Sequence, residues 1–258
     1  MSERSRKRNG RLLERFLTWN REASRGFDRL LGIGWESIRA EERRVIESIL
    51  FEGAKVADVG GGKKPFFSTK DPRIDRYVGL DLEVSELELA PVGSYDMFEA
   101  CDVTRPSDAL KGQFDIIICK NTLEHVLDAG DGLRGLHDML KPGGRCYVAV
   151  PCRLALFATL NRWVPELVKR KVLFALFPEK RTDGFKAYYD QATPSRYQQL
   201  VEKCGSQITY EKRFYWSSYF TVFVPAYIAW RASTAVARAV SSDYCERFHI
   251  VFTRPAEQ

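Results

Sequence analysis

The sequence lacks several features that would place it in a specialised class of protein. None of its 6 cysteines forms a Cys-x-x-Cys pair. Cys119 and Cys146 lie in apolar, strand-like runs, so we predict reduced core cysteines rather than a disulfide framework or a zinc site. No internal repeat or low-complexity tract is present. The N-terminus is charged but has neither the apolar core nor the cleavage site of a secretory signal, which predicts a cytoplasmic protein.

Charge is also modest in total. The formal net charge of +6 does not by itself indicate nucleic-acid binding, so the position of the cations matters more than their number. A chain of 258 residues with 45% hydrophobic and 29% charged residues is typical of one elaborated globular domain that buries a sizeable core.

What the sequence does contain is a series of short apolar segments that alternate with helical patterns. The strand candidates are residues 56–59, 77–82, 98–103, 114–119, 145–150, 207–216 and 246–253. Helical spacing marks residues 126–140 and 193–204, and it predicts two or three helices over residues 11–51, after a mobile basic arm at residues 1–10. This alternation predicts an α/β fold, a Rossmann-like seven-stranded and mostly parallel sheet with helices on both faces.

The pattern divides the chain into four parts. Residues 1–51 hold the basic arm and the N-terminal helices, and residues 52–152 form the Rossmann-like core. Residues 153–192 are an amphipathic basic insertion, and residues 193–258 complete the core around an apolar insertion at about 214–240.

A glycine-rich loop follows the first strand candidate. The strand residues Val56 to Val59 lead into Gly60, Gly61 and Gly62, which let the backbone turn tightly and approach a ligand. Pro65 stands where a dinucleotide-binding loop has its third glycine, which argues against a nicotinamide cofactor.

Five ordered motifs over residues 52–152 resemble those of class I S-adenosylmethionine-dependent methyltransferases. They are Val-Ala-Asp-Val-Gly-Gly-Gly, Gly-Leu-Asp-Leu, Cys-Asp-Val, Phe-Asp-Ile-Ile-Ile-Cys and Leu-Lys-Pro-Gly-Gly. The resemblance implies that S-adenosylmethionine is the cofactor, and it assigns ten residues to its binding. Asp58, Gly60, Gly61 and Gly62 would surround the methionine part, Asp81 and Leu82 the ribose and adenine, Asp102 and Val103 the adenine, and Lys120 and Asn121 would close over the cofactor.

Two features leave alternatives open in this region. Each acid at a strand end can also be an ordinary turn or helix-cap residue. Lys63 and Lys64 depart from the family loop, since cations are unusual beside a sulfonium, and they fit either a solvated pair or contact with an anionic substrate group.

The segment after the fourth strand supplies the candidate catalytic residues. His125 is placed to take a proton from an acceptor hydroxyl, with Glu124 beside it. The segment resembles that of ubiquinone-biosynthesis O-methyltransferases, which can hold a divalent ion there, but Asn121 replaces the first acid and we predict no metal site. The alternative is that Glu124 and His125 only cap or line the next helix. His137 and His249 fall inside a helix and a strand and are interpreted as structural.

Nucleic-acid substrates are disfavoured by the same segment. Enzymes that methylate amino groups of DNA resemble one another in an Asx-Pro-Pro-aromatic motif, where this chain has Lys-Asn-Thr-Leu. Cys152 follows the fifth strand and could imitate the nucleophile of a cytosine methyltransferase, but this interpretation has little support.

Two insertions indicate a membrane surface. Residues 153–181 combine apolar residues at helical spacing with seven cations and only two acids, which is typical of a helix lying in the plane of a membrane. Phe214 to Trp230 has no charged residue and contains Pro225, so we predict a re-entrant, in-plane or buried element rather than a spanning helix. The alternatives are a hydrophobic lid or the face of a homodimer.

The acceptor is predicted from a looser resemblance. Residues 161–165, 176–178 and 185–194 are similar to methyltransferases of bacterial cell-surface glycan and glycolipid pathways, which would place Tyr188, Tyr189 and Asp190 at the acceptor site. The sequence thus predicts an O-methyltransferase of a lipid-linked saccharide or other membrane-borne acceptor, peripheral on the inner face of the cytoplasmic membrane. The alternatives are O-methylation of a quinone or phenolic metabolite, and a non-catalytic methyltransferase-like binding protein.

Overall fold

Seven strands form a single sheet. A computed structural model describes residues 3–30, 32, 34–164 and 186–256, with side chains from residue 14 onward. The strands are β1 Ala54–Val59, β2 Ile74–Asp81, β3 Met97–Ala100, β4 Phe114–Lys120, β5 Leu140–Pro151, β6 Gln207–Phe214 and β7 Arg247–Thr253. Their order across the sheet is β3-β2-β1-β4-β5-β7-β6.

Strand direction confirms the predicted, mostly parallel sheet. Strands β3, β2, β1, β4 and β5 pair in parallel, and β7 pairs antiparallel with both β5 and β6. The carboxyl ends of the parallel strands therefore lie on one edge, where ligands bind in sheets of this kind. We call this the carboxyl edge.

Helices cover both faces of the sheet. They are α1 Glu3–Leu30, α2 Trp35–Ile49, α3 Val84–Glu88, α4 Ala129–Met139, α5 Leu156–Trp163, α6 Pro194–Lys203 and α7 Val224–Val240. Helices α4 and α6 contribute Leu133, Leu136 and Tyr197 to the core on one face. Helix α2 contributes Val45, Ile46 and Ile49 on the other.

Several boundaries differ from the sequence-based expectation, three of them most clearly. Helix α1 begins at Glu3, where we expected a mobile arm, because the segment is rich in helix-forming Arg, Lys and Glu and has no proline. Strand β3 ends at Ala100, before Asp102. Strand β5 begins at Leu140, before the predicted start at residue 145.

Helix α6 begins as its sequence predicts. Thr193 is the N-cap, since its hydroxyl oxygen accepts a hydrogen bond from the backbone N–H of Arg196 at 3.4 Å, and Pro194 occupies the first turn. This boundary is therefore determined locally, by one capping side chain and one proline.

The long N-terminal helix packs on the C-terminal insertion. Asp28 of α1 is buried, and its carboxylate accepts hydrogen bonds from Trp216 Nε1 at 2.6 Å and from the Tyr227 hydroxyl at 2.5 Å. Asn20 Oδ1 accepts the backbone N–H of Val224 at 2.9 Å. Helix α1 is thus held by buried polar contacts to a segment about 200 residues away in sequence.

The apolar insertion forms a helix that starts at its proline. Pro225 lies in the first turn of α7, where its missing N–H leaves no helical hydrogen bond unmade, rather than interrupting the segment. Among the helices of the described residues, none is long and apolar enough to cross a membrane. Of the basic insertion predicted at 153–181, residues 165–181 lie outside the described residues.

Candidate functional site

The glycine loop connects three elements at the carboxyl edge. Gly60 has φ 74°, and its N–H donates to the carbonyl of Leu80 on β2 at 2.7 Å. A Cβ on Gly60 would lie 2.0 Å from Thr122 Oγ1, in the turn after β4. Only glycine fits this position, since both the backbone conformation and the space exclude a side chain.

Asp58 holds the loop from inside. Its carboxylate is buried, and Oδ2 accepts the Tyr77 hydroxyl at 2.5 Å and the backbone N–H of Phe66 at 2.7 Å. Burial raises the pKa of Asp58, and these two hydrogen bonds oppose the rise. Contact between Asp58 and a methionine moiety stays a prediction.

Asp81 lies beside the glycine loop. It is the last residue of β2, and a Cβ on Gly62 would be only 3.3 Å from Asp81 Oδ2. Its pKa is raised, mainly by burial, although the backbone N–H groups of Leu82 and Glu83 lower it. Leu82, next in the chain, leaves 65% of its surface exposed. The edge thus has a half-buried carboxylate next to an apolar surface.

Asp102 and Val103 follow on the next loop. Asp102 is exposed, and its Oδ1 accepts the backbone N–H and the hydroxyl of Thr104 at 2.9 and 2.7 Å. Val103 is buried, and a Cβ on Gly135 of α4 would lie 1.8 Å from its carbonyl oxygen. The close approach of α4 therefore fixes this loop at the edge, next to the end of β3.

Lys120 connects the edge to helix α2. Its Nζ lies 3.1 Å from Glu42 Oε2 and 5.5 Å from the centre of the Phe66 ring. Glu42 is buried within the apolar stripe of α2, between Ile38 and Val45. An acidic residue within an apolar helical stripe indicates a buried cationic partner. Glu42 was not identified in this way from the sequence. The ion pair ties α2 to the end of β4.

Asn121 forms a contact that the sequence did not indicate. It has φ 54°, its N–H donates to the carbonyl of Ala149 at 2.9 Å, and its Oδ1 accepts a hydrogen bond from Arg247 Nη2. The guanidinium Cζ of Arg247 lies 5.5 Å from the centre of the Trp35 ring. An arginine and a tryptophan from opposite ends of the chain thus meet at the ends of β4 and β5.

His125 lies in the short 3-10 turn after β4. Its Nδ1 is 3.0 Å from the carbonyl oxygen of Lys186. Because a carbonyl can only accept, this hydrogen bond requires a proton on Nδ1, and in the neutral imidazole the lone pair is then on Nε2. The tautomer is the one that a general base needs.

Glu124 is turned inward. It is buried, and its Oε2 has no hydrogen-bond partner among the described residues. Burial raises the pKa of Glu124, while the charges of His125 and Arg247 lower it. Its backbone carbonyl accepts hydrogen bonds from the N–H groups of Tyr188 and Tyr189 at 2.7 and 3.1 Å, so Glu124 joins the turn that carries His125 to the predicted acceptor segment. Its catalytic role stays a prediction.

The predicted acceptor segment lies next to the turn that carries His125. Tyr189 is buried with φ 52°, and its hydroxyl accepts Asn161 Nδ2 at 3.3 Å. Asp190 Oδ2 accepts the N–H of Ala129 at 3.0 Å, which places it at the start of α4. Asp190 therefore has a structural contact, and acceptor binding by Tyr188, Tyr189 and Asp190 stays a prediction.

One of the two loop lysines faces an acid of α3. Lys63 Nζ lies 3.5 Å from Glu86 Oε2, at the end of the glycine loop. The acids near this loop do not form a metal site. Within the described part of the chain, no three His, Cys, Asp or Glu side chains lie close enough to hold a metal ion.

The other two histidines have structural contacts, in line with their interpretation. His137 Nδ1 lies 2.8 Å from the Ser206 hydroxyl, and fully buried His249 has its Nδ1 2.9 Å from the Tyr147 hydroxyl. The Nε2 of His249 is 3.8 Å from Glu42 Oε1. Burial lowers the pKa of His249 well below its ordinary value, and the charges of Arg247 and Lys120 lower it further.

Acid should therefore destabilise the protein through His249. Above the unfolded-state pKa of about 6.5 both states are neutral; below it, the unfolded chain binds a proton that the native state does not. The free energy of unfolding should fall by about 1.4 kcal/mol per pH unit until the native pKa is reached. In denaturant titrations between pH 7.5 and 5, the free energy of unfolding of H249Q should fall less steeply with decreasing pH than that of the wild type. Parallel curves would contradict this assignment.

Most of the chain matches a known family. A model of the methyltransferase-domain family matches residues 1–181. The chain is similar to a ubiquinone biosynthesis O-methyltransferase of Pseudomonas aeruginosa (strain UCBPP-PA14), 28% identical over 102 residues that cover 38% of this chain and 44% of the relative. The chain spans about half the length of the curated relatives it matches.

Solved structures share the fold. A crystal structure of an S-adenosylmethionine-dependent methyltransferase from Mesorhizobium loti has a TM-score of 0.52 at 17% identity and covers 82% of this chain and 96% of its own. Phosphoethanolamine N-methyltransferase 2 of Haemonchus contortus, in complex with S-adenosyl-L-methionine, has a TM-score of 0.54 at 12% identity, covering 87% and 53%. At such low sequence identity, these similarities show a shared fold and nothing more.

Proposed function

Since this chain belongs to the methyltransferase-domain family and has the fold of class I S-adenosylmethionine-dependent methyltransferases, we propose that it methylates an oxygen atom of a membrane-borne acceptor. The observation that carries the proposal is the close approach of Gly62 and Asp81 at the carboxyl edge, together with the position of His125 in the turn after β4. The proposal assigns cofactor binding to the first pair and proton removal to the histidine.

The residues at this edge fit an adenosyl group. The half-buried carboxylate of Asp81 suits two ribose hydroxyls, because a carboxylate accepts charge-assisted hydrogen bonds from a diol. The exposed side chain of Leu82 offers an apolar surface for a flat base. When bound, S-adenosylmethionine would supply a methyl group activated on a sulfonium. The chain itself would orient the acceptor oxygen, to which positioning can contribute about 7–11 kcal/mol.

His125 is proposed as the general base. The Lys186 carbonyl fixes the proton on Nδ1, so Nε2 is the nitrogen that would accept the proton of the acceptor hydroxyl. Lys186 lies two residues before Tyr188, so the same backbone that orients the imidazole carries the proposed acceptor residues.

A membrane-borne acceptor is supported by the outer face of two helices. Six large apolar side chains of α1 and α7 are 48–85% exposed; this apolar helix surface is Phe16, Trp19, Leu30, Ile228, Val236 and Val240. Its α7 part has no acid, and its only charges are Arg231 and Arg238. Exposed apolar side chains combined with cations are typical of helices that lie in the surface of an anionic membrane. We therefore assign this surface to lipid.

Vesicle flotation tests this assignment. The wild type should float with vesicles that contain anionic lipid at low salt, and the double variant W19E/I228E should remain largely in the protein fraction, since each side chain loses about 1.5–3 kcal/mol of apolar burial. V92E is the matched control, because Val92 is an exposed apolar residue outside the two helices. A wild type that does not float, or a double variant that floats equally, contradicts the lipid assignment.

The deciding experiment follows the methyl group. Purified protein and methyl-labelled S-adenosylmethionine are added to membrane and soluble fractions of a strain from which the gene has been deleted. Label in membrane lipids or lipid-linked glycans is expected, and label confined to soluble small molecules would refute the membrane-borne acceptor. Cofactor binding without any label in either fraction would instead indicate a non-catalytic binding protein.

A quinone or phenolic acceptor is the second candidate. The observation that favours it is the similarity to proteins named ubiquinone biosynthesis O-methyltransferase, at 26–28% identity. The proposal that the acceptor is a lipid-linked saccharide rests on the looser sequence resemblance of residues 185–194. Mass spectrometry of the labelled product distinguishes an aromatic ether from a methylated sugar.

A further inference from the structure

Arg247, the first residue of β7, is a buried cation that forms no ion pair with a described side chain, although its charge lowers the pKa of the buried Glu124. Only 9% of its surface is exposed, and its Nε has no hydrogen-bond partner in the described part of the chain. Ion pairs between described side chains do not include it. A buried charge is costly unless a charge or hydrogen bond compensates it. Asn121 and the charge of Glu124 meet part of this requirement, and Nε is left without an acceptor among the described residues.

The position of Arg247 places this requirement at the carboxyl edge. In the antiparallel pair β5–β7, Arg247 is opposite Pro151, the last residue of β5. Asn121, which accepts a hydrogen bond from Arg247 Nη2, directly follows β4. The guanidinium thus lies at the ends of two strands that neighbour the catalytic turn, where an acceptor has to reach His125.

Asn121 fixes the direction of the guanidinium. Its backbone is in the left-handed region, φ 54°, which residues other than glycine adopt uncommonly. The conformation is held by the N–H bond to Ala149 and aims the amide oxygen at Nη2. Asn121 thus accepts a hydrogen bond from one side of the planar guanidinium, whereas Nε has no acceptor among the described residues.

Two tryptophans flank the cation. Trp35 lies 5.5 Å from Cζ of Arg247, and its ring centre is 6.4 Å from that of Trp216. Both indoles are only partly buried, so they offer flat apolar surface next to the guanidinium. An anionic group attached to a ring or an apolar body would match this combination.

We propose that Arg247, oriented by Asn121 and flanked by Trp35, binds an oxyanion of the methyl acceptor, a carboxylate or a phosphate. Arginine suits this function because its fork matches both groups and stays charged at all relevant pH values. This inference rests on the proposed function in one respect only, namely that the molecule carrying the oxyanion is the methyl acceptor. Arg247 is then a residue that determines acceptor specificity.

The test uses two simple anions as probes. Isothermal titration in chloride buffer of constant ionic strength, with S-adenosylhomocysteine present, measures binding of 4-hydroxybenzoate and of inorganic phosphate. The neutral analogue 4-hydroxybenzyl alcohol controls for ring binding alone. The wild type should bind at least one anion roughly tenfold or more tightly than R247M does. Preference for 4-hydroxybenzoate indicates a carboxylate on a ring, and preference for phosphate a phosphate group.

Two further variants keep the test decisive. R145M removes an exposed arginine from the other end of the β5–β7 pair and should bind the anions like the wild type. R247K keeps the charge but loses the fork, so it should bind with intermediate affinity and replaces R247M if that variant does not fold. A wild type that binds neither anion, or an R247 variant that binds both as well as the wild type, overturns the proposal.

S-adenosylhomocysteine binding, measured separately, distinguishes this outcome from failure of the proposed function. Anion binding that depends on Arg247 without cofactor binding would keep the anion site and refute the methyltransferase. Cofactor binding without anion binding would keep the methyltransferase proposal and refute the anion site.

Discussion

The variant D81A is expected to bind S-adenosylmethionine about 10²- to 10⁴-fold more weakly than the wild type. The carboxylate would accept two hydrogen bonds from the ribose diol, each contributing about 1.5–3 kcal/mol, and every 1.4 kcal/mol is a factor of ten in affinity. Asp81 is half-buried beside the glycine loop, so water does not readily replace it as an acceptor. Isothermal titration calorimetry measures the change directly.

A matched control is available on the same strand. Asp75 is exposed near the other end of β2, so D75A should leave cofactor affinity unchanged. D81N keeps the size and one carbonyl oxygen but loses the charge, and its affinity should fall between those of the wild type and D81A. If D81A binds the cofactor as tightly as D75A, the ribose assignment is wrong. Thermal melting of each variant without cofactor separates a binding defect from unfolding.

The variant H125A is expected to lose about 10²- to 10⁴-fold in the rate of methyl transfer, the usual contribution of a general base. The labelled-methyl assay on fractions from the deletion strain measures this rate even while the acceptor is unidentified. Cofactor affinity should not change, because the proposed base contacts the acceptor. Added imidazole should restore part of the rate, which a merely structural histidine would not show.

H137A is the control for H125A, since His137 lies in α4 and bonds to Ser206. It should methylate at the wild-type rate. An H125A enzyme with near-normal turnover would remove His125 as the base and leave orientation of the acceptor as the main source of the rate.

The sheet could be predicted because each of its central strands is buried on both faces. Such strands are recognisable as short apolar runs, as in Ile116 to Cys119, and the glycine turn and the acids follow directly in sequence. The same local pattern located Asp81, His125 and the helix start at Thr193. These features depend on neighbours within a few positions of the chain, which a single sequence does show.

The unpredicted contacts join residues that are far apart in sequence. Arg247 meets Asn121 across 126 positions, and Lys120 meets Glu42 across 78. Nothing in the spacing around Arg247 distinguishes it from a surface cation. Glu42 did carry a signal, an acid inside an apolar helical stripe, although its partner could not be named. Such pairs follow from tertiary packing rather than from local pattern.

The docking of helix α1 has a consequence for synthesis on the ribosome. The partners of Asp28 and Asn20 are separated from them by 188 to 204 positions, so α1 leaves the ribosome long before the segment that holds it is made. During that interval its apolar side chains, Phe27 among them, have no α7 to pack against. Contacts of such long separation form late, and transiently exposed apolar surface favours aggregation. A nascent chain of this protein should therefore depend on a chaperone, or on an early encounter with a membrane, until α7 is complete.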